Sequence, residues 1–286
     1  MRARFSSWGL FSRSEPIHTQ YLDSSERLQR IRLFTRNNQP IGEKGIAFVH
    51  IPKTAGTWFT TFLARHFSKT AMAPPLYGHT SQGAFTDKAK RLFCGHFHYA
   101  HARAASDRLL FVTFLRDPVQ RSISQYRSLH NPANFTKDWR DTIPAEEAAA
   151  IEWCQSASFD SFVRSDNPFI LGHIKDVQTR YLSSFPWDDH EAFLSSAIDN
   201  LQNSFFFFGV QEFSQSALSL FRFQTGSSLQ WNAGVTDKNQ SVDYDASVSR
   251  AGRERLDELT GKDRELYKAG RVLFDQRIAQ ALTQIV

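Results

Sequence analysis

The sequence predicts an α/β fold built on a parallel sheet, and three observations carry that expectation. Short apolar runs rich in β-branched and aromatic residues recur at AFVHI (47–51), RLFCGH (91–96), RLLFVTFL (108–115) and NSFFFFGV (203–210). Three of them lead straight into segments with helical spacing: TWFTTFLARHF (57–67), PVQRSISQYRSLH (118–130) and EFSQSALSLFRFQTG (212–226). The Phe205–Phe208 run is too short for a membrane segment and suits a strand buried on both faces, as strands are when helices cover both sides of a parallel sheet.

Taken in order, residues 1–43 are polar and charged and are expected to form an N-terminal extension, with one weak helical stretch at SERLQRIRLF (25–34). The composition then changes abruptly, and residues 44–286 are expected to form the main domain. Its first strand is bounded by Gly45 and Pro52, and Thr57 stands where a helix N-cap belongs. Pro118 stands at the first position of the next long helix. Residues 131–202 read as an inserted helical lobe made of PAEEAAAIEWCQ, FDSFVRS, NPFILGHIKDVQTRYLSS and DDHEAFLSSAIDNLQ. The chain ends in two helices joined near Gly261, with Leu266, Leu273, Phe274 and Ile278 on one face.

Composition narrows the partners. The 286 residues are 41% hydrophobic and 22% charged, ordinary for a globular chain with one good-sized core. Lys and Arg number 34 against 29 acidic residues, a formal charge of +5, which favours anionic ligands. There is no dense Lys/Arg run, so nucleic acid is not the expected partner. Cys94 and Cys154 are the only cysteines, far apart, which suits a reducing compartment. Polar residues break up the basic start MRARFSSWGLFSRSEP before an apolar core of signal-peptide length appears, and no window reaches bilayer length. The expectation is a soluble, cytoplasmic chain, although one trimmed of an anchor would look the same.

The chemistry concentrates first in AFVHIPKTAGTWF (47–59). A strand that turns tightly into a helix aims several backbone N–H groups and the positive end of the helix dipole at one spot, where an anion belongs. Lys53 adds a point charge, Thr54 and Thr57 add hydroxyls, and Ala55 and Gly56 allow close backbone approach. The Walker A pattern places Lys directly before the metal-binding hydroxyl; here Gly56 precedes Thr57 and Lys53 leads the loop. No apolar strand ends in the acidic residue that would hold magnesium, so a nucleotide kinase is the weaker alternative, beside a non-catalytic nucleotide-binding protein.

HIPKTAGTW (50–58) resembles the 5'-phosphosulfate-binding loop of sulfotransferases, the Golgi carbohydrate enzymes and their bacterial relatives. VTFLRDPVQRSISQY (112–126) is similar to that family's 3'-phosphate-binding motif, and QTRYL (178–182), FFGVQE (207–212) and DRELYKAGRVLF (263–274) resemble further family segments. The resemblance implies a P-loop-like sheet and 3'-phosphoadenosine-5'-phosphosulfate as donor substrate, held by Lys53, Thr54, Ala55, Gly56, Thr57, Trp58, Arg116 and Ser124. It also implies a hydroxyl acceptor on a carbohydrate, with no metal required. Arg116 ends a strand and Ser124 lies two helical turns beyond it, a spacing able to clamp a second phosphate.

Other assignments stay open at this level. Trp58 matches an adenine-stacking Trp of the cytosolic enzymes, yet it fits equally as a core residue. Asp117 and Arg121 fit either a salt bridge or a ligand role. FCGHFHYAHA offers His96, His98 and His101 as bases. Gly95-His96 resembles the Gly-His pair of uronyl 2-O-sulfotransferases, which makes His96 the first choice as base and His98 the second. An extended segment would put His96 and His98 on one face with Cys94 as a third metal ligand, a less favoured arrangement. Arg127, Lys137, Arg140, Lys175 and Arg180 line either a cleft for an anionic sugar polymer or a solvated surface.

Overall fold

A computed structural model describes residue 28 and residues 30–77, 83–185, 190–230 and 248–284. Five strands lie in the order β2-β3-β1-β4-β5: β1 Gly45–Val49, β2 Leu76–Tyr77, β3 Leu92–His96, β4 Leu109–Leu115 and β5 Phe205–Val210. Every pairing is parallel, with Val49 of central β1 level with Gly95 on one side and Thr113 on the other. All residues of β1 and β5 are buried, as their unbroken apolar runs require. The expected α/β sheet is therefore present.

After β1 the chain runs through helix α1, Gly56–Ala64, to β2 and β3 on one flank; helix α2, Tyr99–Ala105, leads to β4 on the other. Ligands of open α/β sheets sit outside the carboxyl ends of the strands where the order reverses in this way. Behind that edge, Phe59 of α1 packs against Phe114, Phe207 and Phe221 at 4.8, 5.8 and 5.4 Å between ring centres. Phe221 comes from helix α9, Ser214–Thr225. This aromatic block anchors the first turns of the chain that build the site.

Helix α3, Pro118–His130, starts as expected with Pro118 at its head and Asp117 capping the Gln120 amide at 2.9 Å. Four lobe helices follow: α4 Ala145–Ser156, α5 Phe159–Val163, α6 Pro168–Ile174 and α7 Val177–Leu182. Helix α8, Phe193–Asp199, precedes β5, and the chain closes with α10 Arg250–Leu259 and α11 Gly261–Thr283. A second apolar cluster joins Ile151, Cys154, Phe162 and Ile170 of the lobe to Tyr126 and Leu129 of α3 and Leu256 and Leu259 of α10, drawing on chain from both sides of 131–202.

Two local expectations need correction. Arg30–Phe34, the described end of the stretch read as weakly helical, is not a helix; the rest of that stretch lies mostly outside the described residues. Its amides instead bond across to α9's end, Ile31 N to Gln224 O and Leu33 N to Thr225 O, both at 2.9 Å, and Leu33 and Phe34 are buried in the main core. The run NPFILGHIKDVQTRYLSS breaks into α6 and α7 because Asp176 adopts a left-handed conformation, φ 41°. Its carboxylate there accepts the Lys262 and Asp263 amides at 2.9 and 3.1 Å, at the head of α11.

Asp263 answers from α11. Fully buried, it accepts the amides of Gln178 and Thr179 at 3.1 and 2.7 Å and the Thr179 hydroxyl at 2.8 Å, serving the start of α7. Among the described residues no helix is long and apolar enough to cross a membrane. Removing a buried carboxylate that satisfies three donors leaves them unpaired, so Asp263→Ala should lower unfolding stability by at least about 3 kcal/mol in urea denaturation. A loss below about 1 kcal/mol would mean that water replaces the carboxylate at little cost.

Candidate active site

The loop after β1 reaches its shape through two unusual backbone angles. Lys53 and Ala55, neither a glycine, have φ of 71° and 75°. A left-handed conformation costs an L-residue about 1–2 kcal/mol, so two in three residues must be held by their surroundings. Thr54, fully buried, gives its hydroxyl to the Ile51 carbonyl at 2.9 Å and ties the turn from inside. The backbone curls into a concavity of the kind that presents successive N–H groups to an anion. Helix α1 then starts at Gly56 with Ala55 as N-cap and no side-chain cap, which corrects the expectation that Thr57 caps it. Thr57 sits exposed in the first turn. Trp58 is half-buried and packs edge-on against Phe59 and Phe114, at 5.4 and 5.3 Å.

Arg116, just beyond β4, swings back to this loop: its Nη1 donates to the Lys53 carbonyl at 3.1 Å. The two motifs meet directly. Gln178 of α7 clamps the Arg116 backbone, its Oε1 accepting the Arg116 amide at 2.9 Å and its Nε2 donating to the Arg116 carbonyl at 2.8 Å. Ser124 lies half-buried on α3, two turns past Arg116. Asp117 resolves as the α3 cap, its own amide bonded to Glu212 at 2.9 Å. Arg121 is wholly buried and donates Nη2 to the His173 carbonyl at 2.8 Å, while its Nε and Nη1 lack hydrogen-bond partners among the described residues.

Positive charge thus accumulates at the end of β1. Burial, then Arg116, then Arg121 push the Lys53 ammonium below its ordinary value. Burial likewise lowers Arg116, against the pull of Glu212 and Asp117, and lowers Arg121 to about 10 against the pull of Asp263. Each cation makes its neighbours harder to keep charged, and an anion between them would reverse that effect.

His96 ends β3 beside the loop. Its Nδ1 lies 2.7 Å from the His50 carbonyl. A carbonyl only accepts, so Nδ1 carries the proton and Nε2 keeps a lone pair. Burial lowers its pKa, partly opposed by the bond to the His50 carbonyl and aided by Lys53, which favours the neutral imidazole. The His50 ring lies 4.3 Å from it, and Tyr77, an exposed aromatic, lies 5.8 Å away.

The backbone is still extended at His98, which is the N-cap of α2; its ring lies against Tyr181 at 4.8 Å and His101 at 5.4 Å. Cys94 packs into the main core near Thr60, where burial pushes its thiol up to about 12. The three residues considered together as metal ligands point into different surroundings.

Sequence reasoning missed His50, His173 and Gln178. His50 sits inside a run read as strand, His173 carries no motif in the lobe, and Gln178 was noted only as part of QTRYL. His173 contacts Gln125 of α3 at 3.5 Å and is held down to about 4 by burial and then by Arg121 and Arg180. The family model described as the sulfotransferase family matches residues 41–268. The chain belongs to the sulfotransferase family. Its similarity to curated members is distant: heparan-sulfate 6-O-sulfotransferase 3 of Homo sapiens and of Mus musculus each share 25% identity over 198 residues, 63% of this chain. The match covers 40% of those relatives, so the chain spans well under half their length.

Buried histidines, His50 and His173 near the site and His66 in the core against Phe34 and Phe62, have a consequence for stability. Burial lowers His50, His66 and His173 from 6.5 to about 3, 4 and 4. The unfolded chain binds protons at these residues that the folded chain refuses, so their neutral burial favours folding fully above about pH 6.5 and progressively less as pH falls towards 4. Urea denaturation should show stability falling across that window, and NMR should show these imidazoles still neutral at pH 5. Their titration near 6.5 in the folded state would contradict the burial described.

Proposed function

We propose that this chain transfers the sulfuryl group of 3'-phosphoadenosine-5'-phosphosulfate to a hydroxyl of a carbohydrate. The observation that carries the reading is the hydrogen bond between Arg116 and the Lys53 carbonyl, which sets a second-phosphate residue against the anion loop. Lys53 and the amides of Thr54, Ala55, Gly56 and Thr57 would hold the 5'-phosphosulfate, Arg116 and Ser124 the 3'-phosphate, and Trp58 the adenine side. The relatives named for heparan sulfate support a sugar acceptor, and the free thiols of Cys94 and Cys154 suit a cytoplasmic, reducing compartment.

In the proposed step the acceptor oxygen attacks sulfur and loses its proton to His96 Nε2. The new S–O bond forms as the bond from sulfur to the phosphate oxygen breaks, leaving adenosine 3',5'-bisphosphate. Lys53 meets the charge that returns to that oxygen. No step in this scheme asks a metal for charge stabilisation, because a sulfuryl group carries less charge than a terminal phosphoryl group.

Calorimetry should therefore show adenosine 3',5'-bisphosphate binding well above ATP or 5'-AMP, unaffected by EDTA. Arg116→Ala should weaken the bisphosphate strongly and 5'-AMP little. Magnesium-dependent preference for ATP would move the site to the kinase class. Equal weakening of both ligands would give Arg116 a purely structural part.

The base has its own test. A positioned base contributes about 10²–10⁴ in rate, so His96→Ala should lose turnover of radiolabelled donor on a carbohydrate panel by that order while bisphosphate affinity holds. The acidic limb of kcat/KM, set below 6.5 in the wild type, should vanish with it. Near-normal turnover would pass the role to His98.

A further inference from the structure

We propose that the His50 ring is a positioning residue that fixes the depth and orientation of His96 and couples it to the anion loop. The proposal rests on the role given above to His96. Four contacts meet at His50. Its amide donates to the Gly95 carbonyl at 2.9 Å and its carbonyl accepts from His96 Nδ1, so the ends of β1 and β3 are pinned on both sides of its ring. The ring stacks on Phe48 with centres 5.4 Å apart and planes 5° apart, a core-side support. Its other neighbour is the His96 ring at 4.3 Å. Beyond these, it occupies the space a side chain on Gly56 would need: a Cβ there would overlap the imidazole.

The result is a row of rings, Phe48, His50, His96 and Tyr77, running from the core to the exposed end of β2. His50 is the member that also touches the first residue of α1. Charge is not its contribution, because burial holds its pKa to about 3, with His96 and Lys53 adding to the effect. Lys53 from the loop and His96 from β3 are the titratable groups acting on it, and His96 also acts on His173 of the lobe. A neutral ring in this place keeps water from the inner face of His96 and stops the imidazole from tilting off the line set by the His50 carbonyl. Loss of such support displaces a catalytic group by a fraction of an ångström to an ångström, which costs up to about a hundredfold in rate.

The test uses ¹⁵N-labelled full-length protein saturated with adenosine 3',5'-bisphosphate, in which NMR reads the His96 tautomer and titration. The wild type should show the Nδ1–H form with a pKa below 6.5. In His50→Ala, water reaches the ring, so the pKa should climb towards 6.5, the tautomers should mix, and turnover in the carbohydrate assay should fall about ten- to a hundredfold, with bisphosphate affinity within about twofold. His50→Phe refills the space with an uncharged ring and should restore most of the tautomer preference and turnover. An unshifted His96 in His50→Ala overturns the proposal, and so does a His50→Phe variant that binds bisphosphate yet behaves like His50→Ala. Wild-type protein that binds no bisphosphate would instead overturn the reading of the donor site, leaving the two failures distinguishable.

Discussion

The Arg116 guanidinium and the Lys53 carbonyl, 3.1 Å apart, join two strand ends that each carry a cation. Bringing Lys53, Arg116 and Arg121 into a poorly solvated space raises the free energy of the folded chain, and each group's depressed pKa reflects that opposition. Much of the remaining architecture resists it. Gln178 clamps the Arg116 backbone from α7, α7 is fixed by Asp263, and Asp263 itself sits where Asp176 holds the head of α11. A relay of side-chain-to-backbone bonds thus runs from the last helix to the donor loop. It explains why polar residues are buried deep behind the site: each satisfies backbone groups that set the position of a cation.

The same arrangement makes the site responsive to an anion. A ligand that binds only the folded chain stabilises it by mass action, and one that also relieves mutual repulsion among cations gains further. The strained turn at Lys53 and Ala55 belongs to this balance, because a left-handed backbone tightens the curl of the loop towards the space between the cations. Strain and repulsion occur together here because both serve one small volume.

The sheet was legible because its signals are local. The runs at β1, β3, β4 and β5 are continuous and apolar, Pro118 marks a helix start by its own backbone chemistry, and Gly261 marks the joint between the last two helices. The two-residue strand β2 carried no such signal, and it places Tyr77 beside His96. The donor loop was legible in residue type and less so in geometry: Thr57 suits an N-cap by propensity, but the turn at Ala55 brings the helix in two residues sooner than a Thr57 cap allows. His50 was hidden because alternation along a strand shows which residues are buried, not that one of them supports a neighbour's imidazole. His98 was paired with His96 by the alternation of an extended backbone; the backbone at His98 is extended, and what the sequence did not show is that its ring packs with Tyr181 and His101. Asp263 and Asp176 were invisible for a different reason: the donors they satisfy lie more than eighty residues away, a pairing only the folded chain creates.

The proton inventory of the site follows from these constraints. Burial and the nearby Lys53 both oppose a positive charge on His96, against the pull of the His50 carbonyl, and so favour a neutral imidazole whose lone pair is on Nε2. That balance changes only when negative charge arrives. In the proposed transfer, the departing sulfuryl group would return charge to a phosphate oxygen at Lys53, which would partly cancel the lysine's field and make the imidazolium easier to form. Under that proposal, proton uptake by His96 and charge return to the leaving group would favour each other in the same step. A base that resists protonation until the donor bond breaks does not trap a proton in the resting enzyme. It gains its strength at the moment the acceptor hydroxyl must lose its own.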